Sequence, residues 1–120
     1  MYGLGILGEK VTKYTERVVN AHKYLQGKVS YSTLDQFLRS GTSIGANCSE
    51  AVFAISKADY VNKLHIALKE SNENRYWLEV LHNGLYINTK TYKSMDNDCI
   101  EIQKLLTTII KNTKENMNKT

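Results

Sequence analysis

The sequence contains no proline among its 120 residues and only two cysteines. Proline breaks helices and marks turns, so its absence favours long, uninterrupted helices. The cysteines, Cys48 and Cys99, lie far apart in apolar surroundings and form no Cys-x-x-Cys pair, which argues against a zinc or redox motif. We expect two reduced thiols that are buried as small hydrophobic groups.

Long apolar runs are also missing. No segment approaches the roughly 18 apolar residues of a membrane span, and residues 1–8 lack the basic start of a signal peptide. We therefore expect a cytoplasmic protein without a membrane partner. Neither a nucleophile-elbow motif nor a glycine-rich phosphate loop is present. The sequence accordingly predicts no enzymatic activity and no cofactor.

Apolar residues recur at steps of three and four along four segments, which is the spacing of one face of an α-helix. The predicted helices span about residues 6–26, 32–54, 56–83 and 91–114. A chain of 120 residues has the size of one domain, and the connections between the segments are short. The sequence therefore predicts a single all-α domain, an antiparallel up-down-up-down four-helix bundle.

Two helix starts carry a recognisable signal. Ser32 with Asp35, and Ser56 with Asp59, resemble capping boxes in which aspartate replaces the usual glutamate. We therefore expect the second and third helices to begin near these serines. The polar residues 115–120 are expected to be a frayed end.

The second helix has small residues in its middle, where helices are usually bulkier. Gly41 and Gly45 each cost about 1 kcal/mol relative to alanine inside a helix. We expect close approach of another helix to offset this cost. On the third helix, the predicted apolar stripe includes Tyr76, and Trp77 and Val80 widen it, which predicts that this helix contacts neighbours on more than one side.

Polar and charged residues lie in the middle of the second and third helices: Arg39, Asn47 and Glu50 on one, and Glu70, Glu73 and Arg75 on the other. Antiparallel neighbours bring these positions close together, and buried polar groups need partners. The interpretation that fits best is a hydrogen-bond network that sets the register of the two helices. A solvated surface and a catalytic carboxylate pair are the alternatives.

Basic residues form two stripes on a chain whose net charge is +4 and whose pI is near 9.0. The stripes are Lys10, Lys13 and Arg17 on the first helix, and Lys104, Lys111 and Lys114 on the fourth. Because the first and fourth helices adjoin in such a bundle, the stripes can merge into one patch, although Glu101 and other acidic residues interrupt it. A patch of this kind contacts phosphates without reading sequence.

Glu79 and His82 have the Glu-x-x-His spacing of di-iron ligands in helix bundles. Such a centre needs two of these motifs and two further glutamates that face inward. No second copy exists in the sequence. We therefore predict no metal site and interpret the pair as surface polar residues.

The second and third helices also carry a series of short motifs in a fixed order. The motifs are Leu38-Arg-Ser-Gly-Thr-Ser-Ile-Gly-Ala-Asn47, Ser49-Glu-Ala51, Ser56-Lys-Ala-Asp-Tyr60, Leu64-His-Ile-Ala-Leu-Lys-Glu-Ser71 and Tyr76-Trp-Leu78. In this order and spacing they resemble the four-helix-bundle proteins encoded in intervening sequences of 23S ribosomal RNA genes. The accessory variability protein of diversity-generating retroelements has a similar fold. The resemblance covers nearly the whole chain.

The resemblance implies a cytoplasmic bacterial bundle that assembles as a ring-like homopentamer and has no enzymatic activity. In the retroelement relative, a basic surface binds nucleic acid and a reverse transcriptase. The family's recurrent polar positions are occupied here by Arg39, Ser43, Asn47, Glu50 and Glu70. Their implied role is structural, either in pairing the second and third helices or at the subunit interface.

Two functions from different classes follow from these observations. The first is an oligomeric bundle that binds RNA, DNA or a ribonucleoprotein, including one with a reverse transcriptase, through the basic surface. The alternative is a protein–protein adaptor or structural oligomer without nucleic-acid binding, which the broad apolar stripe of the third helix favours.

Overall fold

The structure is a computed structural model that describes residues 3–119. Over these residues the chain forms four helices, α1 Gly5–Leu25, α2 Tyr31–Val52, α3 Lys57–Asn83 and α4 Thr89–Asn118. Each helix packs against the next one, and α4 packs against α1, so the helices form a closed ring of neighbours. The bundle measures 52 × 22 × 20 Å. The predicted all-α four-helix bundle is confirmed.

Side-chain caps mark the starts of α2, α3 and α4, and one of them differs from the prediction. Ser56 caps α3 as expected, because its Oγ accepts a hydrogen bond from the Asp59 N–H at 3.0 Å. For α2, however, Ser30 is the cap and accepts from the Thr33 N–H, so Ser32 already lies inside the first turn. Ser30 supplies the side-chain oxygen that accepts from the first turn. The prediction that Ser32 caps α2 was therefore wrong.

The fourth helix is longer than predicted at both ends. Asn88 caps it by accepting a hydrogen bond from the Thr91 N–H at 2.8 Å. At the other end the helix continues to Asn118, whereas residues 115–120 were expected to be frayed. Met117 packs against the core, and this apolar contact holds the last turns in helical form. Thr120 lies outside the described residues.

The core is apolar along most of its length but polar at its centre. Asn74 of α3 is fully buried, and its Nδ2 donates to the Phe37 carbonyl oxygen at 2.9 Å and to Ser40 Oγ at 3.0 Å. The Tyr14 hydroxyl donates to Asn74 Oδ1. Asn74 therefore links α1, α2 and α3, and every one of its polar contacts replaces a hydrogen bond lost from water.

The position of Tyr76 on α3 corrects the expected apolar stripe. Its side chain is 56% exposed, whereas Ser71 and Asn74 are buried. The other apolar residues of the predicted stripe are buried or packed against the core. Ser71 and Asn74 continue this face between Ala67 and Leu78, and both have hydrogen-bond partners on neighbouring helices.

Gly41 lies where α1 and α3 both approach α2. A Cβ atom at this position would lie 2.6 Å from Val18 Cγ1 and 3.0 Å from Asn74 Nδ2. Any larger residue would have to move α1 away. Gly45, one turn further along α2, is buried as well.

Both cysteines are free and buried, as expected from the sequence. Burial raises the pKa of Cys48 to about 11 and that of Cys99 to about 12. The two thiols therefore stay protonated at neutral pH and pack as small apolar groups. Within residues 3–119, no helix has the length and apolar character needed to cross a membrane.

Candidate nucleic-acid interface

The cations of α1 that face α4 are paired with carboxylates. Lys10 Nζ lies 2.6 Å from Glu101 Oε2, and Arg17 Nη1 lies 2.7 Å from Asp98 Oδ2. The hydrogen bond from Lys10 lowers the pKa of Glu101, and the same contact raises the pKa of Lys10. Asp98 and Glu101 thus compensate the positive charge along the seam between α1 and α4.

This pairing corrects the expectation that the two basic stripes merge. The carboxylates of α4 stand between the α1 stripe and the lysines of α4 and neutralise Lys10 and Arg17. Lys13 is exposed and lies beside the Lys10–Glu101 pair. The six basic residues therefore do not form a single positive patch.

The other side of α4 is different. Lys111 and Lys114 line a groove between α3 and α4, together with His65 of α3. The groove continues past Lys69. Its two adjoining sections have volumes of about 320 and 380 Å³. We call it the α3–α4 groove, with Leu68 and Ile110 as apolar lining and Asn72, Gln103 and Thr107 as polar lining.

The positive charge of the α3–α4 groove is largely uncompensated. Within residues 3–119, Lys69, Lys111 and Lys114 take part in none of the five ion pairs. Glu115 is the carboxylate among the residues that line the groove. The exposed lysines can therefore turn toward a partner without breaking an ion pair in the bundle.

A chain of polar side chains lies at the Gln103 end of the groove. Arg75 Nε lies 2.7 Å from Asp96 Oδ1, and Arg75 Nη1 donates to Gln103 Oε1 at 3.2 Å. Gln103 Nε2 in turn donates to Ser71 Oγ at 3.1 Å. Lys104 lies next to this chain and also lowers the pKa of Glu101. Lys104 therefore lies between the side of α4 that faces α3, where the lysines are unpaired, and the side that faces α1, where the cations are paired.

Sequence reasoning missed Lys69 and His65 as members of this surface. They occupy positions four residues apart on α3, and Leu68 and Asn72 follow the same edge at steps of three and four. This spacing places all four residues on one side of a helix. This spacing is present in the sequence, but it indicates a shared surface only when α4 packs beside that side of α3.

The polar network predicted between α2 and α3 is smaller than expected. Arg39 crosses the seam and pairs with Glu70 at 3.2 Å and with Glu73. Ser43 and Asn47 bond only within α2, where Ser43 Oγ donates to the Arg39 carbonyl oxygen at 2.6 Å and Asn47 Nδ2 donates to the Ser43 carbonyl oxygen at 2.9 Å.

The remaining members of the expected network lie elsewhere. Glu50 is exposed near the end of α2. Arg75 was expected to face α2, but it bonds to Asp96 and Gln103 of α4. Arg75 lies one turn after Ser71, whose Oγ accepts a hydrogen bond from Gln103 of α4, so both residues lie on the side of α3 that faces α4. The ion pairs of Arg39 therefore hold the α2–α3 seam at its surface, above buried Asn74.

Glu79 and His82 lie near the end of α3, in different surroundings. Glu79 is exposed. His82 stacks on Tyr92 with 4.4 Å between ring centroids and lies 3.0 Å from Thr89 Oγ1. Residues 3–119 contain no group of three or more metal-ligating side chains close enough to share an ion.

Exposed apolar side chains concentrate at the two ends of the bundle. Phe53 and Ile55, in the connection between α2 and α3, are 83% and 94% exposed, and Ile6 at the start of α1 is 60% exposed. The opposite end carries Tyr24, Tyr31, Leu85 and Tyr86.

Comparisons with known proteins agree on the family. The family model described as 23S rRNA-intervening sequence protein matches residues 7–108. A crystal structure of a protein of unknown function, from the S23 ribosomal protein family of Bacteroides thetaiotaomicron, is 48% identical and has a TM-score of 0.85. The match covers 88% of this chain and 99% of that chain. No curated protein matches the sequence.

Proposed function

The chain belongs to the 23S rRNA-intervening sequence protein family, and we propose that it is a cytoplasmic, non-enzymatic bundle that binds nucleic acid along the α3–α4 groove. The observation that carries this proposal is the set of lysines in the groove, Lys69, Lys111 and Lys114, which no carboxylate of the described residues pairs with. Phosphates are the strongest natural partners of such a surface.

The lining of the groove suits a sugar–phosphate backbone. Thr107, Asn72 and Gln103 supply hydroxyl and amide groups beside the lysines, and such groups make a large share of the contacts to phosphates and sugars. None of these contacts reads a base. The expected binding is therefore insensitive to sequence and strongly dependent on salt.

Membership of the family also supports the proposal that the chain binds nucleic acid. The name of the matching model links its members to 23S ribosomal RNA genes. The retroelement accessory variability protein, which has a fold similar to that of the family, has nucleic acid and a reverse transcriptase as its partners. A ribonucleoprotein that contains a reverse transcriptase is therefore the protein partner to test first.

The decisive experiment measures binding of a fluorescein-labelled single-stranded RNA by anisotropy over a salt series of about 50 to 200 mM. The test variant is Lys69→Gln/Lys111→Gln/Lys114→Gln. The matched control, Lys10→Gln/Lys13→Gln/Arg17→Gln, removes three positive charges as well, but from the compensated side. We expect about a tenfold or greater loss for the test variant, and a salt slope lower by about two.

Two outcomes would contradict the proposal. If the wild-type chain does not bind the RNA at the lowest salt concentration, the bundle has no nucleic-acid role of this kind. If both triple variants lose equal affinity, net charge and not the α3–α4 groove governs binding.

A second candidate function is self-assembly, and the exposed apolar end favours it. Phe53 and Ile55 are almost fully exposed beside Ile6, and burying such side chains against another copy would remove them from water. The resemblance implies a homopentamer. Native mass spectrometry should therefore give five copies for the wild-type chain and smaller species for Phe53→Ser/Ile55→Ser. Tyr31→Ser, at the opposite end, is the control.

A further inference from the structure

The bundle has a second concave feature, far from the lysines of the α3–α4 groove. It lies between the last turns of α1 and the segment that joins α3 to α4, and its volume is about 490 Å³. That volume falls within the range of about 300–1,000 Å³ that is usual for ligand sites. Tyr24, Asn20, Tyr86 and Ile87 are among the residues that line it. We call it the tyrosine cleft.

The turn after α3 holds the Tyr86 ring in place. The Tyr86 N–H donates to the Leu81 carbonyl oxygen at 3.0 Å, and the Leu85 N–H donates to that of His82 at 3.0 Å. These two bonds form the Schellman end of a helix, which calls for a left-handed residue after the cap. Leu85 occupies that position with φ +64°, although leucine adopts this conformation with difficulty.

Gly84 contributes to the same arrangement. A Cβ atom at this position would lie 2.9 Å from two carbon atoms of the Tyr86 ring, so the ring packs directly on the backbone. The helix end and the small residue at position 84 thus place an aromatic ring that remains 44% exposed.

The opposite wall carries a second aromatic ring together with positive charge. Tyr24 is 66% exposed, and Lys28 Nζ lies 3.5 Å from its ring centroid. Arg17 also lines the cleft, although Asp98 pairs with it. The exposed side-chain amide of Asn20 offers both a donor and an acceptor between the walls.

We propose that the tyrosine cleft binds a nucleobase, with its attached phosphate near Lys28. A base is planar, stacks on aromatic rings, and has an edge of donors and acceptors that an amide can pair with. The lysine and arginine make the cleft unsuitable for a cationic ligand. An apolar peptide would leave the Asn20 amide without a partner.

For a base that belongs to a strand, the inference rests on the proposed nucleic-acid binding. A base inside a duplex has no exposed face to stack, so occupancy of the cleft selects single strands. A free nucleotide has the same base and phosphate and can bind the tyrosine cleft without contacting the α3–α4 groove. The two sources therefore need separate measurements.

The first measurement uses AMP and UMP with saturation-transfer NMR. We expect transfer to the base protons from the wild-type chain and from Tyr31→Ala, and its loss in Tyr24→Ala and Tyr86→Ala. Tyr31 is the matched control because it is an exposed tyrosine at the same end and does not line the cleft. Tyr24→Phe/Tyr86→Phe should retain the transfer, since stacking needs the ring and not the hydroxyl.

The second measurement uses two labelled strands of about 12 nucleotides, a length within the usual range of single-strand sites. One strand has bases and the other is abasic with the same phosphates. Tyr24→Ala and Tyr86→Ala should weaken binding of the base-containing strand by about tenfold and leave the abasic strand unchanged. Nucleotide transfer without strand binding would overturn the proposed function and support the cleft. Strand binding that no tyrosine variant changes, with no nucleotide transfer, would overturn the cleft alone.

Discussion

The α3 helix packs against α2 on one side and against α4 on the other, and the two seams differ in how they treat polar groups. Toward α2, Arg39 pairs with Glu70 and Glu73, and buried Asn74 bonds to α2 beneath them. Toward α4, the groove exposes Lys69 and Lys111 without a paired carboxylate.

The difference separates a seam that serves folding from one that is available to a partner. In the α2 seam, polar groups satisfy one another, and nothing is left for an outside ligand. In the α3–α4 groove, lysines of both helices line one surface, and like charges on one surface cost stability unless an anion compensates them. The predictions that follow alter one contact between helices at a time and test whether folding and binding respond separately.

The largest effect is expected at Gly41, where α2 packs against both α1 and α3. Gly41→Ala would place a methyl group 2.6 Å from Val18 Cγ1, and overpacking of this kind typically costs about 1–3 kcal/mol of unfolding free energy. Urea unfolding followed by circular dichroism measures this loss. Ser49→Ala, at an exposed position of the same helix, should change stability by less than about 0.5 kcal/mol.

A double variant identifies the atoms responsible. If the clash with the valine methyl groups causes the loss, Val18→Ala should recover part of it in the Gly41→Ala background, whereas it destabilises the wild-type chain. Unchanged stability of Gly41→Ala would contradict the close approach of α1 to α2.

The helices of this bundle were predictable from the sequence because apolar residues recur at helical spacing in each, although Ser71 and Asn74 interrupt the stripe of α3. The ends of the helices were less predictable. Ser30 and Ser32 are equally suitable caps in the sequence, and only the path of the loop selects Ser30. The extension of α4 to Asn118 depends on the packing of Met117 against the core. The polar composition of residues 115–120 does not indicate this packing.

The candidate interface was predictable only in part, because the partners of its charged residues lie on neighbouring helices. Lys111 and Lys114 were identified from their own helix. Whether a lysine is compensated depends, however, on which carboxylate faces it from a neighbour, as Glu101 faces Lys10. A buried asparagine such as Asn74 escapes an analysis of apolar spacing for the same reason, since its partners lie on α1 and α2.

The next largest effect should come from adding a carboxylate to the α3–α4 groove. Thr107 lines the α3–α4 groove four residues before Lys111, so Thr107→Glu allows an ion pair within α4. We expect about a tenfold loss of RNA affinity, because this pair competes with phosphate. The unfolding free energy should change by less than about 0.5 kcal/mol.

Anisotropy and urea unfolding on the same preparations distinguish the two effects. Ser49→Glu adds the same charge on α2 and serves as the control. Equal losses in the two variants would show that the position of the charge does not matter.

A smaller effect, of opposite sign, should follow from opening the seam between α1 and α4. Asp98→Asn/Glu101→Gln releases Arg17 and Lys10 from their ion pairs. We expect a three- to fivefold gain in RNA affinity, and a salt dependence steeper by about one to two. The control is Asp35→Asn/Glu50→Gln, which removes two exposed carboxylates from α2. A gain of the same size in both would mean that net charge alone is responsible.

The smallest effect concerns the Lys10–Glu101 pair itself. The hydrogen bond from Lys10 lowers the pKa of Glu101 below its ordinary 4.5. Because the folded-state pKa is the lower one, the pair stabilises the fold above pH 4.5, and this contribution is lost as the pH falls through the lowered pKa. An NMR titration of the Glu101 carboxyl carbon should show the lowered pKa in the wild-type chain and a return toward 4.5 in Lys10→Met.

Lys13→Met, which removes a neighbouring exposed lysine, should leave the Glu101 pKa where it is. Added salt should raise that pKa, because exposed charges are screened. If Lys10→Met does not move it, the two side chains are not paired in solution. The α1–α4 seam would then carry uncompensated lysine charge as the α3–α4 groove does, and the contrast between the two sides of α4 would rest on Arg17 and Asp98 alone.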